Sequence, residues 1–279
     1  MTELGFDRWE TVAPAWAQSR RRWARRLDRA FVRLRLLATA APRMLDPLTL
    51  GLSVVGLLTL LFLLFPQLDL AATDLFYRAG EGFPASRDPL LRAFRESSDI
   101  VLMVLALGLI VRLAWVLIRR GGAGLVAARR SIFLLAALAV GPGLVVNGVL
   151  KSWWGRPRPV GVDLFGGDAP YQTVWRISDW CPSNCSFVSG EGSLAAWFVA
   201  VLVLVPARYR AAAAVPTVLY ATLLSINRLA FGGHFLSDIV LSWSISAVVF
   251  ALLYRVMVSA PGVARRRARV WKGLVPATA

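Results

Sequence analysis

Residues 131–159, "SIFLLAALAVGPGLVVNGVLKSWWGRPRP", run from a long apolar stretch straight into a cluster of cations, and that junction decides the fold. Ser131 to Leu150 holds no Asp, Glu, Lys or Arg. Its length is the ~20 residues an α-helix needs to cross a hydrocarbon core. Lys151, Arg156 and Arg158 follow where such a helix would leave the lipid. Outward from this junction lie five more apolar runs: Pro47 to Pro66, Ile100 to Ile118, Gly190 to Val205, Ala211 to Ile226 and His234 to Met257. The spacing predicts an all-α integral membrane protein of six transmembrane helices, the fourth and fifth borrowing flanking residues to reach spanning length. A hydrophobic content of 57% and a mean hydropathy of +0.59 agree, since a soluble domain of 279 residues cannot hide that much apolar surface.

Charge sets the orientation. The chain carries 32 Lys and Arg against 16 Asp and Glu, a net +16. Six crossings put 22 of the cations on the side of both termini and nine on the other. The basic side is cytoplasmic by the positive-inside rule, so the loop that holds Lys151 faces the periplasm or exterior of a cell inner membrane or plasma membrane. Residues 1–46 read as a basic cytoplasmic segment, 47–257 as the six-helix membrane domain and 258–279 as a basic cytoplasmic tail. Within the first, "SRRRWARRLDRAFVRLRLL" spaces Trp23, Leu27, Phe31 and Leu34 as an amphipathic helix on anionic lipid would, or simply fixes topology. So long a segment before the first span predicts an uncleaved anchor. Nucleic-acid binding is excluded because the positive charge is divided among short loops between apolar runs.

Cys181 and Cys185, in the outward loop "DWCPSNCSFVSGEG", are either a disulfide stapling the chain ahead of the fourth span or two unpaired thiols. One histidine and no other cluster of soft ligands argue against a metal.

Three outward segments carry polar residues to the membrane edge: "KSWWGRPRP" (151–159), "FVSGEGS" (187–193) and "NRLAFGGHFLSD" (227–238). His234 is the single histidine, and Asp238 follows at i+4, a spacing that on a helix places both on one face. A carboxylate there would orient the ring and leave the other nitrogen free as a nucleophile. Lys151, Arg158 and Arg228 are three cations without enough acids to neutralise them, which suits a multiply charged anion such as phosphate. Ser189 and Gly190 add a hydroxyl and backbone N–H groups at a helix start, where anions are favoured. Trp153, Trp154, Trp175 and Trp180 suit the lipid–water interface.

In spacing these segments resemble the type 2 phosphatidic acid phosphatase superfamily, whose motifs are K-x6-R-P, P-S-G-H and S-R-x5-H-x3-D. Here they are Lys151-x6-Arg158-Pro159, Ser189-Gly190 and Arg228-x5-His234-x3-Asp238. The resemblance implies a phosphatase that removes phosphate from a lipid without a metal or other cofactor, through a phosphohistidine at His234. Asp238 would orient the ring, and Lys151, Arg158, Arg228, Ser189 and Gly190 would hold the phosphate oxygens. Glu191 stands where the family has its general-acid histidine, Val188 replaces the proline, and Asn227 replaces a serine, a small change because either can donate a hydrogen bond to phosphate. Carried to this position, the acid role falls to Glu191. The implied partner is a phosphorylated outer-leaflet lipid: phosphatidylglycerophosphate, phosphatidic acid, an isoprenyl diphosphate or lipid A phosphate. A lipid phosphotransferase using the same intermediate, or a non-catalytic phospholipid-binding or transport protein that lost its acid, are the alternatives.

Overall fold

The computed structural model describes residues 46–120 and 124–259. The basic N-terminal segment and the tail beyond 259 lie outside them. The described chain is an all-α, multi-pass membrane protein. Helix α1 spans Pro47–Leu64, α2 Gln67–Asp74, α3 Pro89–Arg120, α4 Gly124–Trp153, α5 Gly190–Leu204, α6 Ala207–Ala230 and α7 Leu236–Ser259. Five of these, α1, α3, α4, α6 and α7, are long and apolar enough to cross a membrane, while α5 is shorter. The apolar windows of α1 and α3 are each 6% buried, against 44% for α7, so α7 is the central helix and α1 and α3 turn their apolar faces outward to lipid.

Local sequence explains the ends of these helices. Asp88 accepts hydrogen bonds from the N–H groups of Leu90 and Leu91 (2.8 and 3.0 Å), and Pro89 occupies the first helical position, where a missing N–H is harmless. Helix α3 therefore begins roughly three turns before the apolar run read from sequence. At 32 residues it is ~48 Å long, more than a ~30 Å hydrocarbon core requires, and its first turns carry Arg92 and Arg95. The eight-residue α2 has too little apolar length to be seen by hydropathy.

Helix α4 changes pitch midway. Ala139–Leu150 winds as a π-helix around Pro142, whose ring nitrogen has no proton to donate; Asn147 Nδ2 bonds the Pro142 carbonyl at 2.8 Å. The principal core lies among α4, α5, α6 and α7, around the fully buried Trp197, whose indole donates to the Leu134 carbonyl at 2.8 Å. The expected aromatic belt is divided. Trp153 and Trp180 are exposed, but Trp154 and Trp175 pack on each other and on Phe187, and Trp175 donates to Thr59 at 3.0 Å.

Candidate active site

The turn from α6 to α7 places the histidine. Gly232 has φ +61°, the left-handed region. At Gly233 a Cβ would lie 2.3 Å from the guanidinium of Arg228, so a side chain there could not coexist with the arginine in its present position. His234 is fully buried. Its Nδ1 is 2.8 Å from the carbonyl oxygen of Ser186, an acceptor that requires Nδ1 to carry the proton. Nε2 then keeps its lone pair. That atom is buried and makes no hydrogen bond, with Glu191 Oε2 3.5 Å away. Burial holds the His234 pKa below the usual imidazole range; Glu191 and Asp238 act in the opposite sense, Arg228 in the same.

Asp238 is placed differently from the i, i+4 expectation. Helix α7 starts at Leu236, so His234 belongs to the preceding turn and the two residues share no helical face. Asp238 Oδ2 lies 4.0 Å from Nδ1. The carboxylate instead accepts from the Phe235 N–H (2.9 Å), capping α7, from the Ser186 hydroxyl (2.5 Å) and from Arg156 Nη1 (2.5 Å). Asp238 thus reaches the ring through Ser186, whose side chain it holds and whose carbonyl holds the imidazole.

The cations converge on Glu191. Arg228 is buried, with Nε 3.2 Å from Glu191 Oε1, and Arg95 from α3 reaches the same oxygen at 3.3 Å. Lys151 and Arg158 line one cavity of about 560 Å³ with Arg95, Asn184, Gly190 and Glu191. Leu102, Leu138, Pro142 and Leu194 line it too, so polar and apolar surfaces share one space. Arg158 is aimed by two bonds, Nε and Nη2, to the Asn184 carbonyl (3.0 and 2.9 Å). The π-helical turns of α4 contribute Pro142, Gly143 and Asn147 and deliver Lys151 to the rim.

Two expected contacts are used otherwise. The Ser189 hydroxyl caps α5 by accepting from the Gly192 N–H at 3.0 Å. Asn227 donates to the Leu91 carbonyl (3.1 Å), tying α6 to α3, and has no part in the cavity. Cys181 and Cys185 form a disulfide, with Cα atoms 5.7 Å apart, in the loop that supplies the Asn184 and Ser186 carbonyls.

Sequence reasoning missed Arg95, Arg156, Ser186 and Asp69. Arg156 offered a signal, being a cation inside "GRPRP". Arg95 and Asp69 offered none, since both lie outside the apolar runs and the three polar segments.

Residues 130–260 match the model of the PAP2 superfamily. Among curated proteins, the lipid A 4'-phosphatase of Rhizobium leguminosarum is 48% identical over 119 residues, 43% of this chain and 51% of that one. That of Rhizobium etli is 47% identical over 119 residues, 43% and 46% of the two chains. This chain thus spans about half the length of those two relatives. The lipid A 4'-phosphatase of Francisella tularensis subsp. novicida is 34% identical over 220 residues, 74% of this chain and 95% of that one. Among solved structures, a transmembrane PAP2-type phosphatidylglycerolphosphate phosphatase from Bacillus subtilis is similar at 19% identity and a TM-score of 0.49, covering 75% of this chain and 94% of that one. With one relative matched over nearly its whole length, and the family model covering α4 to α7, where the three motifs lie, the chain belongs to the PAP2 superfamily.

Proposed function

We propose that the protein is a metal-independent lipid phosphatase that hydrolyses a phosphate ester on an outer-leaflet lipid through a phosphohistidine at His234. The observation that carries this reading is the bare Nε2 of His234, buried behind Glu191, whose carboxylate faces it at 3.5 Å and itself lines the cavity that joins cations to an apolar wall. A phosphorylated amphiphile needs both surfaces at once. Orientation of the cavity toward the periplasm or exterior, and a sixth crossing by the short α5, follow from the distribution of charge and belong to the same proposal.

In the first step Nε2 attacks phosphorus, the P–O bond to the lipid breaks, and the leaving alkoxide takes a proton from Glu191. Nδ1 keeps its proton and donates it to the Ser186 carbonyl, so the imidazolium character that develops is stabilised where the ring is already held. Lys151, Arg158, Arg228 and the Gly190 N–H hold the non-bridging oxygens. In the second step water attacks phosphorus, its proton passes to the Glu191 carboxylate, and the P–N bond breaks to return the lone pair to Nε2. Among phosphorylated lipids, the names of the curated relatives favour lipid A phosphate as substrate.

The test is phosphate release by detergent-purified protein from a panel of phosphorylated lipids, with and without EDTA. Release that survives EDTA and vanishes in His234→Ala is the expected result, because the chain has no second histidine to take over. Turnover by His234→Ala, or loss in EDTA, would overturn it. Label passing to a lipid acceptor with no free phosphate would identify a phosphotransferase instead.

A further inference from the structure

Behind His234 lies a second set of charges that the cavity does not touch. Arg156, Asp69 and Asp238 are fully buried. Arg156 Nη2 is 2.9 Å from Asp69 Oδ2, Nη1 is 2.5 Å from Asp238 Oδ1, and Nε donates to the Gln172 carbonyl at 2.9 Å. The guanidinium also lies 4.4 Å from the centre of the Phe235 ring, next to His234 in the chain. Asp69 is held in turn by the Ser237 N–H (2.7 Å), the Ser237 hydroxyl (2.6 Å) and the Tyr171 hydroxyl (3.2 Å). The Ser186 N–H donates to the Arg156 carbonyl at 2.9 Å. Every one of these groups lies one or two contacts from the carbonyl that orients the nucleophile.

We infer that Asp69 and Arg156 are positioning residues for His234, acting through Asp238 and Ser186: they hold the ring as the Nδ1–H tautomer and set how much of the Asp238 charge the ring feels. The inference rests on the reading of His234 as nucleophile. Asp69 comes from α2, N-terminal to the residues matched by the family model.

The physical argument is one of charge. A carboxylate 4.0 Å from an imidazole favours imidazolium, which cannot attack phosphorus. Arg156, bonded to the far oxygen of Asp238, offsets that carboxylate. Asp69, on the opposite side of Arg156, draws part of the guanidinium charge away. Burial alone would depress Arg156, but Asp238 and Asp69 hold it well above the ordinary guanidinium range, so its charge is permanent. The other groups that bear on the ring are Glu191 from α5 and Arg228 from α6, with Lys151, Arg158 and Arg95 lining the cavity that Glu191 enters. None of these is altered by a change at 69 or 156.

The two charges predict shifts of opposite sign. Losing the cation in Arg156→Met should raise the midpoint of His234 protonation by about 1 unit, and Asp69→Asn, which removes an anion, should lower it. Because the chain has one histidine, ¹⁵N-histidine NMR of protein carrying a histidine-free tag reads this titration and the tautomer directly, without turnover. The acid limb of kcat/KM should move with each midpoint. Arg156→Lys, which keeps the charge but not the fork, should leave the midpoint near that of wild type while lowering kcat. Midpoints unmoved in both charge variants, or moved the same way, would overturn the inference. If Arg156→Met does not fold, the direction of the Asp69→Asn shift decides alone. A midpoint that moves while the acid limb stays put would overturn His234 as the rate-limiting nucleophile and leave the positioning network standing.

Discussion

Glu191 is the residue on which the proposed chemistry turns, because it replaces an imidazole with a carboxyl group. It meets Arg228, Arg95 and the Nε2 of His234 within 3.5 Å. A carboxyl group donates only while protonated, and burial keeps His234 neutral to lower pH than a free imidazole of pKa ~6.5. The sign is therefore fixed: as pH falls, the nucleophile persists until the lowered His234 value is crossed, so the acid limb of the rate should lie below the ordinary imidazole range. Glu191→Gln should slow alkyl phosphates by roughly 10²–10⁴-fold and p-nitrophenyl phosphate much less, since that leaving group needs little protonation. Equal slowing of both substrates would assign Glu191 to binding. At this scale fixed short spacings singled out Arg228, His234 and Asp238, but not the route by which Asp238 reaches the ring, through Ser186 and not from a shared helical face. It was silent on Asp69, which meets Arg156 across 87 residues of chain, and on Ser186, which acts through a carbonyl every residue possesses.

At the scale of elements, short polar and glycine-rich segments decide where the charged groups go. Gly233→Ala would push a methyl group into the Arg228 guanidinium, so kcat/KM should fall by at least about 10-fold, one charge-assisted contact being worth ~1.5–3 kcal/mol, while the fold survives. Unchanged kinetics would mean that Arg228 has another productive position. The apolar runs located α1, α3, α4, α6 and α7, because hydropathy over a spanning window is a strong signal. Ends were read less well. Helix α3 continues through "PLLRAFRESSD" on the strength of Asp88 and Pro89, which no hydropathy window registers, and so brings Arg95 to the cavity. The π-helical turns of α4 were equally hidden, since pitch follows from Pro142 and its packing rather than from period.

At the scale of the whole molecule, the charge asymmetry and the location of the site make a joint prediction. Cys181 is partly exposed in the loop that orients both Arg158 and His234, whereas Cys185 is buried. After mild reduction, a membrane-impermeant thiol reagent should label Cys181 in intact cells. Labelling confined to permeabilised cells would invert the topology and put the cavity on the cytoplasmic side.

The cavity joins an ionic rim, with Lys151, Arg158 and Asn184, to an apolar wall of Leu102, Leu138 and Leu194. On the proposed reading, a hydrolysis carried out across that boundary would sort its own products. Orthophosphate, insoluble in hydrocarbon, would drain to the aqueous phase past the rim, while the dephosphorylated lipid would lose its hold on the cations and diffuse back among its neighbours. The two products would leave through different media, so re-encounter would be rare and the reverse reaction starved of one partner.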